Sequence, residues 1–226
     1  MNRVQGVLFD LDGTLLNTIG DIAESMNTVL KKHGFPEFHE DEYKRKVGWG
    51  MRGLVERSLP AETDTKLLDI CEEELMELYH KVPIERTRPY PGVLRLLENL
   101  EKLNLPKSIL SNKADSLTQK VVKELLGDWD FVFIAGARDG IPRKPDPTLA
   151  LEAAEAMNIP PSGVVLLGDS SIDVETALNA GMVSIGAAWG FRPEKELNEA
   201  GAHEVVSGPA DFFRFISDHT ANSKFQ

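Results

Sequence analysis

The sequence is poor in the residues that mark several classes of protein. It has a single cysteine, Cys71, so it cannot form an internal disulfide. It has 25 Lys and Arg against 36 Asp and Glu, and the formal net charge of −11 argues against a nucleic-acid partner, whose recognition needs a basic surface. No apolar run is long enough to cross a bilayer, so no membrane partner is expected. The N-terminal stretch lacks the basic and apolar segments of a secretion signal, which predicts a cytoplasmic protein.

What the sequence does contain is a pair of acids directly after a short apolar run. Residues 4–9 are too few for a helix and predict a buried strand of a parallel sheet. Asp10 and Asp12 follow it, at the edge where parallel sheets bind ligands. Two carboxylates held together are costly unless a cation or a reaction requires them. The alternative is an ordinary turn, since Asp12-Gly13 is also a common turn sequence.

The spacing of apolar residues divides the chain into two parts. Helical periodicity predicts helices over residues 18–32, 40–47, 51–59 and 65–81 without a convincing strand, which indicates a small all-helical domain over residues 16–84. Strands then alternate with helices, which is typical of a doubly wound, Rossmann-like parallel sheet. The predicted α/β core therefore comprises residues 1–15 and 85–226, with the helical domain inserted after the first strand. The polar tail from Thr220 is expected to fray.

Polar residues also follow the later predicted strands. Ser111 and Asn112 come directly after one strand, and Asp169 and Asp173 after another, while Lys144 lies in a loop held by two prolines. Each has an ordinary explanation as a helix cap, a solvated lysine or a first-turn acid. Because the carboxyl ends of parallel strands share one edge of the sheet, together they predict a common site.

These segments, in this order, resemble the four motifs of the haloacid dehalogenase-like superfamily. The segments are Asp10-x-Asp12-Gly13-Thr14, Ser111-Asn112, Lys144-Pro145-Asp146-Pro147 and Gly168-Asp169-x-x-x-Asp173. The helical insert resembles the cap of the branch that includes phosphoglycolate phosphatases. The resemblance implies a magnesium-dependent phosphatase that hydrolyses a small phosphate monoester through an aspartyl-phosphate. Its partner would be a small phosphorylated metabolite, and the protein a monomer or homodimer.

The resemblance also implies a role for each motif residue. Asp10 would be the nucleophile, Asp12 the general acid and base, and Lys144 the cation that neutralises nucleophile and phosphate. Mg²⁺ would be bound by Asp10, the backbone carbonyl of Asp12 and Asp169, with Asp173 supporting the site. Ser111 would hold a phosphoryl oxygen, and Thr14 and Asn112 would add hydrogen bonds.

Simple electrostatics agrees with these roles. At ~4 Å, each pair of like charges costs on the order of 4 kcal/mol near a protein surface. The four acids would therefore repel a phosphate ester unless a divalent cation and a lysine were present. A ligand set of oxygens without His or Cys favours magnesium over zinc.

Other chemistries of the superfamily stay open to different degrees. Asp12 disfavours a dehalogenase, whose leaving group needs no proton. Sugar phosphomutases of this branch typically carry a His early in the first cap helix, and residues 18–25 have none. An inorganic pyrophosphatase and a non-catalytic phosphate-sensing module are further alternatives.

The glycine-rich stretch 48–53 has two interpretations. In the first, it is a substrate loop over the active site, and Arg52 binds a substrate carboxylate. In the second, it is a connecting turn, with Trp49 packed between cap and core and Arg52 on the surface.

Overall fold

The computed structural model describes residues 3–81 and 84–220. The strands in this part of the chain are β1 (Gly6–Phe9), β2 (Leu16–Asn17), β3 (Arg88–Pro89), β4 (Lys107–Ala114), β5 (Phe133–Ala137), β6 (Val164–Gly168), β7 (Val183–Ala187) and β8 (Glu204–Val206). The helices are α1 (Ile19–Lys32), α2 (Glu40–Tyr43), α3 (Gly50–Ser58), α4 (Thr65–Lys81), α5 (Val93–Lys102), α6 (Asp115–Leu125), α7 (Thr148–Ala156), α8 (Ser171–Asn179), α9 (Glu194–Glu199) and α10 (Pro209–Thr220).

The main sheet has β1 near its centre. Among the described residues it contains six strands in the order β5-β4-β1-β6-β7-β8, each parallel to its neighbours. Phe9, the last residue of β1, pairs with Ile109 on one side and Leu167 on the other. The three strands that precede the predicted acidic and polar segments are therefore adjacent, and the prediction of a doubly wound parallel sheet is confirmed.

Helices cover both faces of this sheet, because alternate residues of a strand point to opposite sides. Phe9 packs in one hydrophobic cluster with Leu97 of α5 and Phe212 of α10. Its neighbour Leu8 packs in a second cluster with Ala153 of α7. Burial on both faces fixes the position of β1 and so of the acids that follow it.

The segment between β2 and β3 carries α1 to α4, which share a third hydrophobic cluster around Met26, Tyr43 and Leu75. Leu117 of α6 also belongs to this cluster, so the helices pack on the core. We call them the cap, and their boundaries at residues 16 and 84 stay a prediction. The expectation of a segment without strands is corrected at its start, where β2 pairs with β3. Two-residue strands are too short to leave a periodic pattern.

The ends of several elements differ from the predictions. Helix α2 stops at Tyr43 and not at Val47, and the short α9 was not predicted. The predicted frayed tail lies, apart from Thr220, outside the described residues. None of the described helices is both long and apolar enough to span a membrane.

Candidate active site

Three carboxylates meet at the carboxyl edge of the sheet. Asp10 follows β1, Asp169 follows β6, and Asp173 lies in the first turn of α8. One oxygen from each lies within 4.8 Å of the others, and all three residues are buried. The adjacency of β1 and β6 brings these residues together although they are far apart in the sequence.

Lys144 provides the positive charge at this cluster. Its Nζ donates hydrogen bonds to Asp10 Oδ1 at 2.7 Å, Asp173 Oδ1 at 2.6 Å and the backbone oxygen of Leu110 at 3.1 Å. Burial lowers the pKa of Lys144, but the carboxylates of Asp10 and Asp173 outweigh this effect and raise it above its usual value. The lysine is therefore protonated throughout the physiological pH range.

One lysine does not balance three buried acids. Burial raises the pKa of Asp10 to about 7, in spite of the neighbouring charge of Lys144 and with a further rise from Asp173. Burial, with the charges of Asp10 and Asp173, also raises the pKa of Asp169. Such a group of oxygen ligands, short of positive charge, is chemically suited to a hard divalent cation such as Mg²⁺. Asp10 and Asp169 are the better placed ligands, because both oxygens of Asp173 already accept hydrogen bonds, from Lys144 and Ser170.

Asp12 lies beside this cluster in a different environment. Its Oδ2 is 3.0 Å from Nζ of Lys113, and both side chains are largely buried. Burial lowers the pKa of Lys113, but Asp12 outweighs it and raises the pKa, so this lysine is also charged. The other oxygen of Asp12, Oδ1, is buried without a hydrogen-bond partner among the described residues. An acid held by one oxygen, with the other available, is suited to proton transfer.

The predicted polar residues lie around the same pocket. The Thr14 hydroxyl donates to Asp10 Oδ2 at 3.3 Å, and buried Ser111 lines the pocket. Asn112 bonds Lys144 through both backbone groups and also donates to the oxygen of Gly48 in the cap, at 2.9 Å. Asn112 thus positions Lys144 and holds the cap at the same time.

Asp169 is reached closely by two glycines. A Cβ at Gly13 or at Gly190 would overlap the Asp169 side chain, and Gly13 also has φ of +97°. The backbone N–H of Phe191 donates to Asp169 Oδ2 at 2.6 Å. The loop after β7 therefore fixes this carboxylate in place.

The cap covers the acids with apolar side chains. The enclosed cavity has a volume of about 60 Å³. Apart from the acids and their polar neighbours, its walls include Ile22, Val47, Met51, Leu54, Tyr79, Ile172 and Phe191. Such a roof excludes water and strengthens the electrostatic interactions beneath it.

The stretch 48–53 reaches the pocket through Gly48, Gly50 and Met51 and not through Arg52. The assignment of Arg52 to substrate binding is therefore corrected. Its guanidinium pairs with Glu56 one helical turn away and with Asp69 and Glu72 of α4. Trp49 is 42% exposed and stacks with Arg57, so it is not packed between cap and core either.

Three pocket residues were not assigned a role from the sequence: Lys113, Phe191 and Arg192. Phe191 and Arg192 follow β7, so the argument from strand ends applied to them as well. The loop was passed over because it contains no acid. Lys113 follows Ser111 and Asn112 directly, but its contact with Asp12 depends on the tertiary structure.

Comparison with known proteins agrees with this geometry. The sequence profile of the haloacid dehalogenase-like hydrolases matches residues 7–187. A phosphoglycolate phosphatase of Aquifex aeolicus is 30% identical over 94% of this chain and 97% of its own length. An N-acetylmuramic acid 6-phosphate phosphatase of Pseudomonas aeruginosa is 29% identical over 92% and 93%. The crystal structure of a candidate phosphoglycolate phosphatase from Lactobacillus delbrueckii subsp. bulgaricus superimposes with a TM-score of 0.88, at 27% identity over 95% and 98% of the two chains.

Proposed function

This chain belongs to the haloacid dehalogenase-like hydrolase family, and we propose that it is a magnesium-dependent phosphatase of small phosphate monoesters. The observation that carries the proposal is the arrangement of Asp10 and Asp12. Asp10 is held by Lys144 and Thr14, whereas Asp12 is held by Lys113 and keeps Oδ1 unbonded. Two neighbouring acids with separate partners are suited to separate roles as nucleophile and proton donor.

In the first step, a carboxylate oxygen of Asp10 attacks the phosphorus of the ester. The bond from phosphorus to the ester oxygen breaks, and Asp12 donates its proton to the leaving alkoxide, which departs as the alcohol. Lys144 and the hydroxyl of Ser111 stabilise the negative charge on the phosphoryl oxygens. The product is an aspartyl-phosphate on Asp10.

In the second step, Asp12, now a carboxylate, accepts a proton from a water molecule. The oxygen of that water attacks the phosphorus, and the bond to Asp10 breaks. Inorganic phosphate leaves, and Asp10 and Asp12 return to their starting states. Splitting the hydrolysis into two displacements lowers the barrier of each.

The carboxylates of Asp10 and Asp169 and the backbone oxygen of Asp12 would hold Mg²⁺, with Asp173 supporting them. The fit is supported by the grouping of buried oxygen ligands and by their raised pKa values. When bound, the ion would neutralise the charge of the acids and of the phosphoryl group, which is its general role in phosphoryl transfer.

The substrate we propose is a small, phosphoglycolate-like ester. Two observations support small size: the cavity of about 60 Å³ and its apolar roof. Two of the relatives are named for phosphates of organic acids, phosphoglycolate and N-acetylmuramic acid 6-phosphate. The alcohol product would then carry a carboxylate.

The test is steady release of phosphate from p-nitrophenyl phosphate by the purified protein. We expect turnover with Mg²⁺, loss of turnover with a chelator and recovery when Mg²⁺ is added back. A single stoichiometric labelling without turnover would instead indicate a phosphate-sensing module.

A further inference from the structure

The side chain of Arg192 contributes a positive charge to the pocket that the proposed reaction does not use. Arg192 follows β7, lines the pocket and has a side chain only 10% exposed. Lys144 already serves the nucleophile and Lys113 the general acid. A third buried cation in so small a site needs another explanation, since a buried charge is costly unless it is paired.

The hydrogen bonds of Arg192 leave part of the guanidinium unused. Its Nη2 donates to the backbone oxygen of Val47 in the cap at 2.8 Å. Its Nε lies 3.4 Å from an oxygen of Glu196, which is itself partly exposed and also bonds Ser171. Its Nη1 is buried and has no hydrogen-bond acceptor in the described part of the chain. A buried donor of a charged group without an acceptor is rare in folded proteins.

We propose that Arg192 determines substrate specificity by binding a carboxylate on the leaving group of the ester through Nη1. This inference rests on the proposed phosphatase function. A planar guanidinium matches a carboxylate in geometry and charge, and its hydrogen bonds are strengthened where water is excluded. The apolar residues of the cap around Val47 offer no competing anion to Nη1.

The bond to Val47 gives Arg192 a second effect. Since Nη2 holds a backbone oxygen of the cap, carboxylate binding at Nη1 would occur only with the cap in its closed position. Esters that carry the carboxylate would therefore stabilise the closed site, in which the apolar roof covers the acids.

The experiment compares two esters that differ in one group, 2-phosphoglycolate and 2-hydroxyethyl phosphate. The wild type should prefer the acid. Arg192→Met should lower kcat/KM for 2-phosphoglycolate by about 10- to 100-fold, as expected for a lost hydrogen bond to a charged group. For 2-hydroxyethyl phosphate the change should stay within about threefold, because only the bond to Val47 is lost. Arg192→Lys, which keeps the charge, should show an intermediate preference and serves if the Met variant fails to fold.

Arg52→Met is the matched control, because Arg52 is a cap arginine that does not line the pocket, and it should leave the preference unchanged. Equal losses for both esters in the Arg192 variants, or a wild type that does not prefer the acid, would overturn the inference. In those cases p-nitrophenyl phosphate would still be hydrolysed by the wild type. Failure of that reaction as well would overturn the proposed function together with the inference.

Discussion

Nζ of Lys113 lies 3.0 Å from Oδ2 of Asp12, in a part of the pocket that the cap closes with Tyr79. The lysine therefore holds the proposed general acid by one oxygen and leaves Oδ1 free for the substrate. Since Tyr79 comes from the cap, its ring 4.9 Å from Nζ, the position of the acid depends on both domains.

Lys113→Met should impair proton donation more than the displacement itself. For an alkyl phosphate, whose leaving group needs a proton, we expect kcat to fall by about 100-fold. For p-nitrophenyl phosphate, whose leaving group departs as a stable anion, the loss should be about tenfold or less. The measurement is steady-state kinetics with both esters.

The matched control is Lys107→Met at the other end of β4. Lys107 is a buried lysine paired with Glu101 at 3.0 Å, and it does not line the pocket. It should leave the ratio of the two rates unchanged. If Lys113→Met lowered both rates by the same factor, Lys113 would not act through Asp12.

Magnesium affinity should depend on pH. The pKa of Asp10 is raised to about 7 and that of Asp169 is also raised, and a proton on either acid must leave before the ion binds. Affinity should therefore rise as the pH increases through about 7, by roughly tenfold per unit on the acid side for each proton released. Isothermal titration between about pH 6 and about pH 8 measures this.

The Asp10→Asn variant separates the two acids in that titration. It should bind Mg²⁺ more weakly and show a smaller dependence on pH, because one titrating ligand is gone. An affinity of the wild type that stays constant across the range would contradict the assignment of these acids as ligands.

Asp21 connects the first cap helix to the segment that returns to the core. Its carboxylate accepts hydrogen bonds from the backbone N–H groups of Arg86 and Thr87 and from the Thr87 hydroxyl. Asp21→Asn places an amide donor against these donors and should lower the free energy of unfolding by about 2 kcal/mol. Denaturant titration measures the loss, and exposed Glu24→Gln on the same helix should change stability by less than about 0.5 kcal/mol. Equal stability of the two variants would show that this connection contributes nothing.

Arg52→Met should leave KM for 2-phosphoglycolate within about twofold of the wild type, since partly exposed ion pairs contribute little. The reason is structural: three acids of the cap, and no pocket residue, surround its guanidinium. A large and selective rise in KM would restore the first interpretation of the stretch 48–53, in which Arg52 binds the substrate.

The sequence predicted the parts of the site that depend on topology. Once alternating strands and helices indicated a parallel sheet, Asp10, Ser111 and Asp169 had to lie along one edge, because each directly follows a strand. In the structure these strands are the neighbours β4, β1 and β6.

The parts that depend on side-chain packing could not be predicted in this way. Arg52 shares the glycine-rich stretch with pocket residues, but its direction is set by Asp69 and Glu72, which lie on another helix. The contacts of Arg192 with Val47 and of Lys113 with Asp12 likewise join distant segments. Local periodicity carries no information on such pairs.

The central claim is that Asp10 becomes phosphorylated during turnover. It is tested most directly by quenching the enzyme while it turns over a phosphate ester with Mg²⁺, reducing the acyl phosphate with borohydride and mapping the modified residue by peptide mass spectrometry. We predict conversion of Asp10 to homoserine in the wild type and none in Asp10→Asn, which should be inactive. A modified residue other than Asp10, or near-normal turnover by Asp10→Asn, would contradict the account.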